Sequence, residues 1–221
     1  MNPSTRLPAF PLIRHLSKHV TPVLLRLPVT PNQITAASLV TGLAACWFLI
    51  QGGHVWMVGA GLLFVLTYVL DNCDGEVARI KGQSSTFGMW FDTVVDWLVH
   101  SAFFIALGIG AMRVFGSEVW LWLGGIAALG GTINFFLGLY LDSRDKGNVE
   151  VAETENSHRP PEGLSEWVLF AFRELTRADF CFIVLALAVF DLTWLLLPAG
   201  AIGSQVYWIT LFFRAAREFH V

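Results

Sequence analysis

Asp71-Asn72-Cys73-Asp74-Gly75-Glu76-Val77-Ala78-Arg79 is followed, one short polar turn later, by Gly88-Met89-Trp90-Phe91-Asp92-Thr93-Val94-Val95-Asp96. This stretch places four carboxylates inside the adjoining ends of two apolar segments, Val55–Ile80 and Thr86–Met112. Both segments exceed the roughly 20 residues that carry a helix across a ~30 Å hydrocarbon layer. Counting back from Lys81, Asp71 lies about ten residues, or roughly 15 Å, inside its segment. Counting forward from Ser85, Asp96 lies about eleven residues, or roughly 16 Å, inside the next. A short turn makes the two helices antiparallel, so the acids meet at one depth. Helical phase agrees: Asp71, Asp74, Gly75 and Ala78 share one face of about 100°, and Asp92 and Asp96 sit at i,i+4 on a stripe with Gly88.

The rest of the chain is equally apolar. Of 221 residues, 55% are hydrophobic and 14% charged, against about a quarter charged in soluble domains, and mean hydropathy is +0.60. A formal net charge of −3 excludes a nucleic-acid binder with a large basic field. Disorder and a disulfide-stapled module are excluded as well. Cys46, Cys73 and Cys181 fall in or beside apolar stretches without metal-ligand spacing and read as small interior residues. The composition is that of an integral membrane protein. Six spans are expected: Pro31–Ile50, Val55–Ile80, Thr86–Met112, Glu118–Leu141, Arg173–Phe190 and Leu192–Phe213. The fold class is all-α and polytopic, one domain over residues 1–221. Residues 1–29 form an interfacial amphipathic segment and 30–221 a six-helix bundle. Thr30-Pro31-Asn32-Gln33 opens the first span as a capping box with proline at the first helical position. Residues 7–28 mix Leu7, Phe10, Ile13, Leu16 and Val20 with basic residues and prolines, which suits short helices lying in the interface. No cleavable leader is expected.

Of the 14 lysines and arginines, only Arg113 falls on the far side of these spans. This positive-inside bias puts both termini, the 79–85 turn and the 142–177 segment in the cytoplasm, and the multi-pass protein is expected in a prokaryotic cytoplasmic membrane. Gly124-Gly125 and Gly130-Gly131 invite close helix packing, including between subunits of a homodimer. His100, one turn beyond Asp96, reads as an interior histidine with its hydrogen bonds satisfied.

A carboxylate in the bilayer is costly and marks function. Four facing one another repel unless positive charge sits among them, and Arg79 and Lys81 are too few to neutralise them. An oxygen-only ligand set favours Mg²⁺ or Mn²⁺, one or two ions, and a dinuclear oxygen site suits phosphoryl or pyrophosphate chemistry. Gly75, Ala78 and Gly88 leave room for a ligand to approach the helices.

Read as a string, Asp71-x2-Asp74-Gly75-x2-Ala78-Arg79-x8-Gly88-x3-Asp92-x3-Asp96 resembles the signature of the CDP-alcohol phosphatidyltransferase family, with every fixed position filled. The resemblance implies a membrane transferase of phospholipid biosynthesis. It would move a substituted phosphate from a CDP-linked donor, expected to be CDP-diacylglycerol, to a polyol or polyol phosphate and release CMP. It implies two metal ions, the first held by Asp71, Asp74 and Asp92 and the second by Asp71, Asp92 and Asp96, with Asp96 as the base on the acceptor hydroxyl. Gly75, Ala78 and Arg79 would meet the nucleotide and its phosphates, with Ser85, Asn32 and Thr35 bordering the CDP moiety. Membrane lipid is the expected surrounding, and nucleic acid is not an expected partner. The signature leaves the acceptor open. Arg144, Lys146, Arg173, Arg177, Arg214 and Arg217 would suit a phosphorylated one, although the positive-inside bias accounts for them equally well. Phosphoinositol transfer from a CDP-inositol-type donor, and a cation or proton transporter using the same acids, are the alternatives.

Overall fold

A computed structural model of the chain describes residues 11–144 and 179–218. Every regular element among them is helical. In chain order these are α1 (Ile13–Leu25), α2 (Pro31–Gln51), α3 (His54–Lys81), α4 (Thr86–Phe115), α5 (Val119–Arg144), α6 (Phe180–Val189) and α7 (Leu196–Glu218). A 3₁₀ turn at Thr193–Leu195 leads into α7.

The helix boundaries follow local chemistry. The Thr30 hydroxyl accepts from the Gln33 amide while the Gln33 side chain takes the Thr30 N–H, closing the capping box with Pro31 at the first position. Ser85 caps α4 by accepting from the Gly88 amide at 3.0 Å. Between them α3 stops at Gly82, whose φ of 64° is open to glycine at little cost.

Among the described residues five helices are long and apolar enough to cross a membrane: α2, α3, α4, the Val119–Leu141 part of α5, and Thr193–Phe213. The expected six spans are therefore not all matched. For the span expected at Arg173–Phe190, only the ten-residue α6 is described, about 15 Å of helix, because residues 173–178 lie outside the described residues. The last helix also begins later than Leu192, after the 3₁₀ turn.

Helix α2 packs against both α3 and α4, α4 against α5, α5 against α7, and α3 against α6. Consecutive though they are, α3 and α4 scarcely approach backbone to backbone. Their seam is filled instead by side chains: Phe64 stacks on Phe103 with ring centres 4.9 Å apart, and Tyr68 faces His100 one turn nearer the α3–α4 turn. The neighbouring pairs come much closer. A Cβ on Gly108 would meet the Trp120 carbonyl oxygen at 2.8 Å, and one on Gly124 would strike the Phe104 carbonyl. Gly124 and Gly130 thus serve contacts within the chain, Gly130 against Ser204 and Gln205, whereas Gly125 and Gly131 face open space.

Helix α1 is fastened by carboxylates. Buried Asp179 accepts from the Leu12 and Ile13 amides at 2.7 and 2.9 Å, capping the helix from across the chain. Glu76 on α3 accepts from the Ser17 and Thr21 hydroxyls at 2.7 and 2.5 Å. The Lys81 ammonium donates to the Val29 carbonyl.

Two outcomes follow. Gly124→Ala should destabilise the protein by about 1–3 kcal/mol, the usual range for overpacking, while Gly125→Ala is neutral or better; thermal unfolding in detergent compares them. Asp179→Ala should cost about 1–2 kcal/mol as a lost helix cap and make α1 the first site of limited proteolysis.

Candidate functional site

The four acids converge in the seam between α3 and α4. One carboxylate oxygen from each of Asp71, Asp74 and Asp92 lies within 4.8 Å of the others. Asp74 is buried, and Asp71 and Asp92 are half-buried. Asp71 also lies within hydrogen-bonding reach of Asp92 and of Asp96. Asp96 is one turn beyond Asp92 and more open to the seam. The acids lie where the two backbones stay apart and α2 packs against both helices.

This arrangement fits a hard cation. Asp92 Oδ1 is buried with no hydrogen-bond partner, an arrangement that leaves a polar atom unsatisfied unless something else binds it. Among the described residues no lysine or arginine pairs with the acids, and the one ion pair, His54 with Asp191, belongs to the opposite end of α3. Three or four oxygen donors without a counter-charge match the donor set that Mg²⁺ and Mn²⁺ take.

Around the acids, the other expected residues fall into two groups. Asn32 and Ser85 converge on Gly88, where a Cβ would meet Ser85 Oγ at 3.1 Å and Asn32 Oδ1 at 3.2 Å. On α3, a Cβ on Gly75 would meet an Arg79 guanidinium nitrogen at 3.3 Å, so the glycine leaves room for that side chain to lie back along the helix. Arg79 is exposed and Ala78 half-buried, one and two turns from the acids. Thr35 takes a different place from Asn32. It is buried, and its hydroxyl lies 2.5 Å from Asp74 Oδ2, so it holds one of the acids.

One further residue beside the acids, Tyr68, was not read from the sequence as part of the site. Tyr68 precedes Asp71 by three residues and shares its stripe, a spacing that could have pointed to it. Its hydroxyl meets His100 Nε2 at 2.7 Å, and His100 Nδ1 meets the Asp96 carbonyl at 2.7 Å, so His100 is satisfied on both nitrogens. Glu76 lies within the signature but turns to α1, away from the acid cluster. Arg144, Arg214 and Arg217 have no described side chains, and Lys146, Arg173 and Arg177 lie outside the described residues.

Comparison with known proteins bears on this site. The chain is 30% identical over 119 residues to a bifunctional IPC transferase and DIPP synthase of Thermococcus kodakarensis, covering 54% of this chain and 26% of that protein. It is 34% identical over 88 residues to the phosphatidylinositol phosphate synthase of Corynebacterium glutamicum, 40% of this chain and 39% of that one. It is 29% identical over 103 residues to the archaetidylinositol phosphate synthase of Pyrococcus horikoshii, 46% of this chain and 53% of that one. The matched regions thus span about a quarter to a half of these relatives' lengths. A family model described as CDP-alcohol phosphatidyltransferase matches residues 28–216, which take in the acids, Gly75, Arg79, Asn32 and Thr35. The chain belongs to the CDP-alcohol phosphatidyltransferase family.

Proposed function

We propose that this chain is a membrane transferase that passes a substituted phosphate from CDP-diacylglycerol to a hydroxyl of a polyol phosphate, releasing CMP. The observation that carries this reading is the set of uncompensated acids in the seam between α3 and α4, on a chain of this family. The inositol phosphate in the names of two relatives supports a phosphorylated polyol as acceptor.

In this reading Asp71, Asp74 and Asp92 hold one Mg²⁺ or Mn²⁺, and Asp71, Asp92 and Asp96 a second. Metal bound there supplies charge neutralisation at the donor phosphate and the departing CMP. Thr35 keeps the Asp74 carboxylate in place through its hydroxyl. Gly75 lets the Arg79 guanidinium lie along α3 to meet the phosphates of the nucleotide, which Ala78, Asn32 and Ser85 border. Asp96, the most open of the acids, takes the proton of the acceptor hydroxyl as that oxygen attacks phosphorus. The phosphorus–oxygen bond to CMP breaks, and CMP leaves with its phosphate. The diacylglycerol chains remain among lipids while the head group meets a water-soluble acceptor.

The positive-inside bias supports a cytoplasmic mouth and cytoplasmic termini. One membrane domain over residues 1–221 and a homodimer formed on the exposed Gly125 face of α5 complete the reading. The reading gives at least one of Arg144, Lys146, Arg173, Arg177, Arg214 and Arg217 the role of binding the acceptor phosphate.

Purified protein in lipid, given radiolabelled CDP-diacylglycerol, Mg²⁺ and a panel of acceptors, tests the assignment. Inositol phosphate or glycerol phosphate should yield CMP and a labelled phospholipid, with their unphosphorylated counterparts much poorer. Product formed only with unphosphorylated alcohols would overturn the acceptor. Excess chelator should abolish CMP release, and full turnover under chelation would remove the metal from the account. Asp96→Asn should lower kcat by a factor on the order of 10² or more while binding of the CDP-linked donor survives. Near-normal turnover would assign the proton to another group.

A further inference from the structure

We propose that the Tyr68–His100 hydrogen bond sets the spacing of the metal site, making Tyr68 and His100 positioning residues for the four acids. The inference rests on the reading of those acids as metal ligands, and it assigns a role to two side chains that the reaction itself does not use.

The seam between α3 and α4 has the form of a ladder. Its deepest rung is Phe64 on Phe103, both almost fully buried, with ring centres 4.9 Å apart. Phe180 of α6 closes the side of this rung, 6.2 Å from Phe64 and 5.7 Å from Phe103. The next rung is Tyr68 to His100, with hydroxyl and Nε2 2.7 Å apart. The third is Asp71 with Asp92 and Asp96. Successive rungs are three or four residues apart on each helix, about 5–6 Å of rise, so each reports directly on the next. Among the described residues Tyr68–His100 is the only hydrogen bond outside the acid cluster that joins α3 to α4, whose backbones otherwise scarcely approach.

The acid rung is a set of acceptors with no lysine or arginine paired to it among the described residues, so it has no donor of its own to fix its spacing. An aromatic stack such as Phe64–Phe103 resists closure but permits sliding. A hydrogen bond fixes both distance and register. His100 Nδ1 donates to the Asp96 carbonyl at 2.7 Å, which leaves Nε2 to accept from the Tyr68 hydroxyl. The imidazole is thereby held at both nitrogens, one bond tying it to the turn that bears Asp96 and the other to the turn that precedes Asp71. Tyr68 is 9% exposed, so water competes little for its hydroxyl.

The test is Mn²⁺ binding followed by electron paramagnetic resonance on purified protein in lipid, without donor or acceptor. Tyr68→Phe keeps the ring and removes only the hydroxyl; it should bind Mn²⁺ about three- to tenfold more weakly, the range one net hydrogen bond supports. Raising Mn²⁺ should return its kcat for CMP release close to that of the unaltered protein, so the defect lies in metal affinity. His100→Gln, which can still offer an acceptor to Tyr68, should lose less affinity than His100→Phe. Leu107→Ala, in the buried outer part of α4, should lower thermal stability without moving Mn²⁺ affinity. Unaltered Mn²⁺ binding in Tyr68→Phe would overturn the inference, as would a loss that Leu107→Ala reproduces. Absence of saturable Mn²⁺ binding in the unaltered protein would instead refute the metal site beneath it.

Discussion

The gathering of four carboxylates between two consecutive helices, with no lysine or arginine paired to them among the described residues, is the constraint on which the rest of this bundle bears. Two antiparallel helices joined by a short turn would ordinarily close along their length. Here α3 and α4 stay apart, and α2 takes up the packing by lying against both. The close approaches occur elsewhere, where Gly108 meets α5 and Gly110 meets the Leu49 carbonyl of α2. Aromatic rings fill the deep part of the α3–α4 seam and leave its shallow part to Asp71, Asp74, Asp92 and Asp96. The result is a cluster of acids set beside an aromatic layer, a donor set that suits a hard cation.

Charge also organises the surroundings of the site. Glu76 lies two residues from Asp74 yet belongs to a different structure, because the Ser17 and Thr21 hydroxyls of α1 satisfy it. Asp179 is satisfied by two backbone amides at the start of the same helix. Both acids acquire hydrogen-bond donors: Glu76 holds α1 against α3, and Asp179 ties the start of α1 to the residue that precedes α6. Among the described residues the orphaned carboxylate oxygen is the one on Asp92, in the cluster read as a metal site. The contrast between satisfied and unsatisfied acids separates anchoring, by Glu76 on α3 and Asp179 before α6, from the orphaned Asp92 on α4.

Much of this was legible in the sequence, for a physical reason. A bilayer penalises a carboxylate so heavily that four of them at matched depth and phase leave few readings besides a metal site. Thr30, Pro31 and Gln33 likewise announced the start of α2, since capping chemistry is local. Asp179 was hidden because its partners are backbone amides, which carry no residue-type signal and lie over 160 positions away. Of the paired glycines, Gly124 and Gly125 stand 100° apart on the helix, and composition alone cannot say which of them meets α4. Thr35 was expected beside the nucleotide; its contact with Asp74 depends on the rotation of α2 against α3, which no spacing within either helix encodes. The helix expected from Arg173 is described only from Phe180, where the continuous apolar run begins.

On the proposed reading the acids between α3 and α4 hold a divalent metal. Crystals of the protein soaked in Mn²⁺, with diffraction recorded near the manganese absorption edge, test it most directly. The account predicts anomalous density among Asp71, Asp74 and Asp92, about 2.0–2.3 Å from their oxygens as hard-cation coordination requires, with a second peak toward Asp96. An anomalous map with manganese bound elsewhere, and none among these acids, would contradict it.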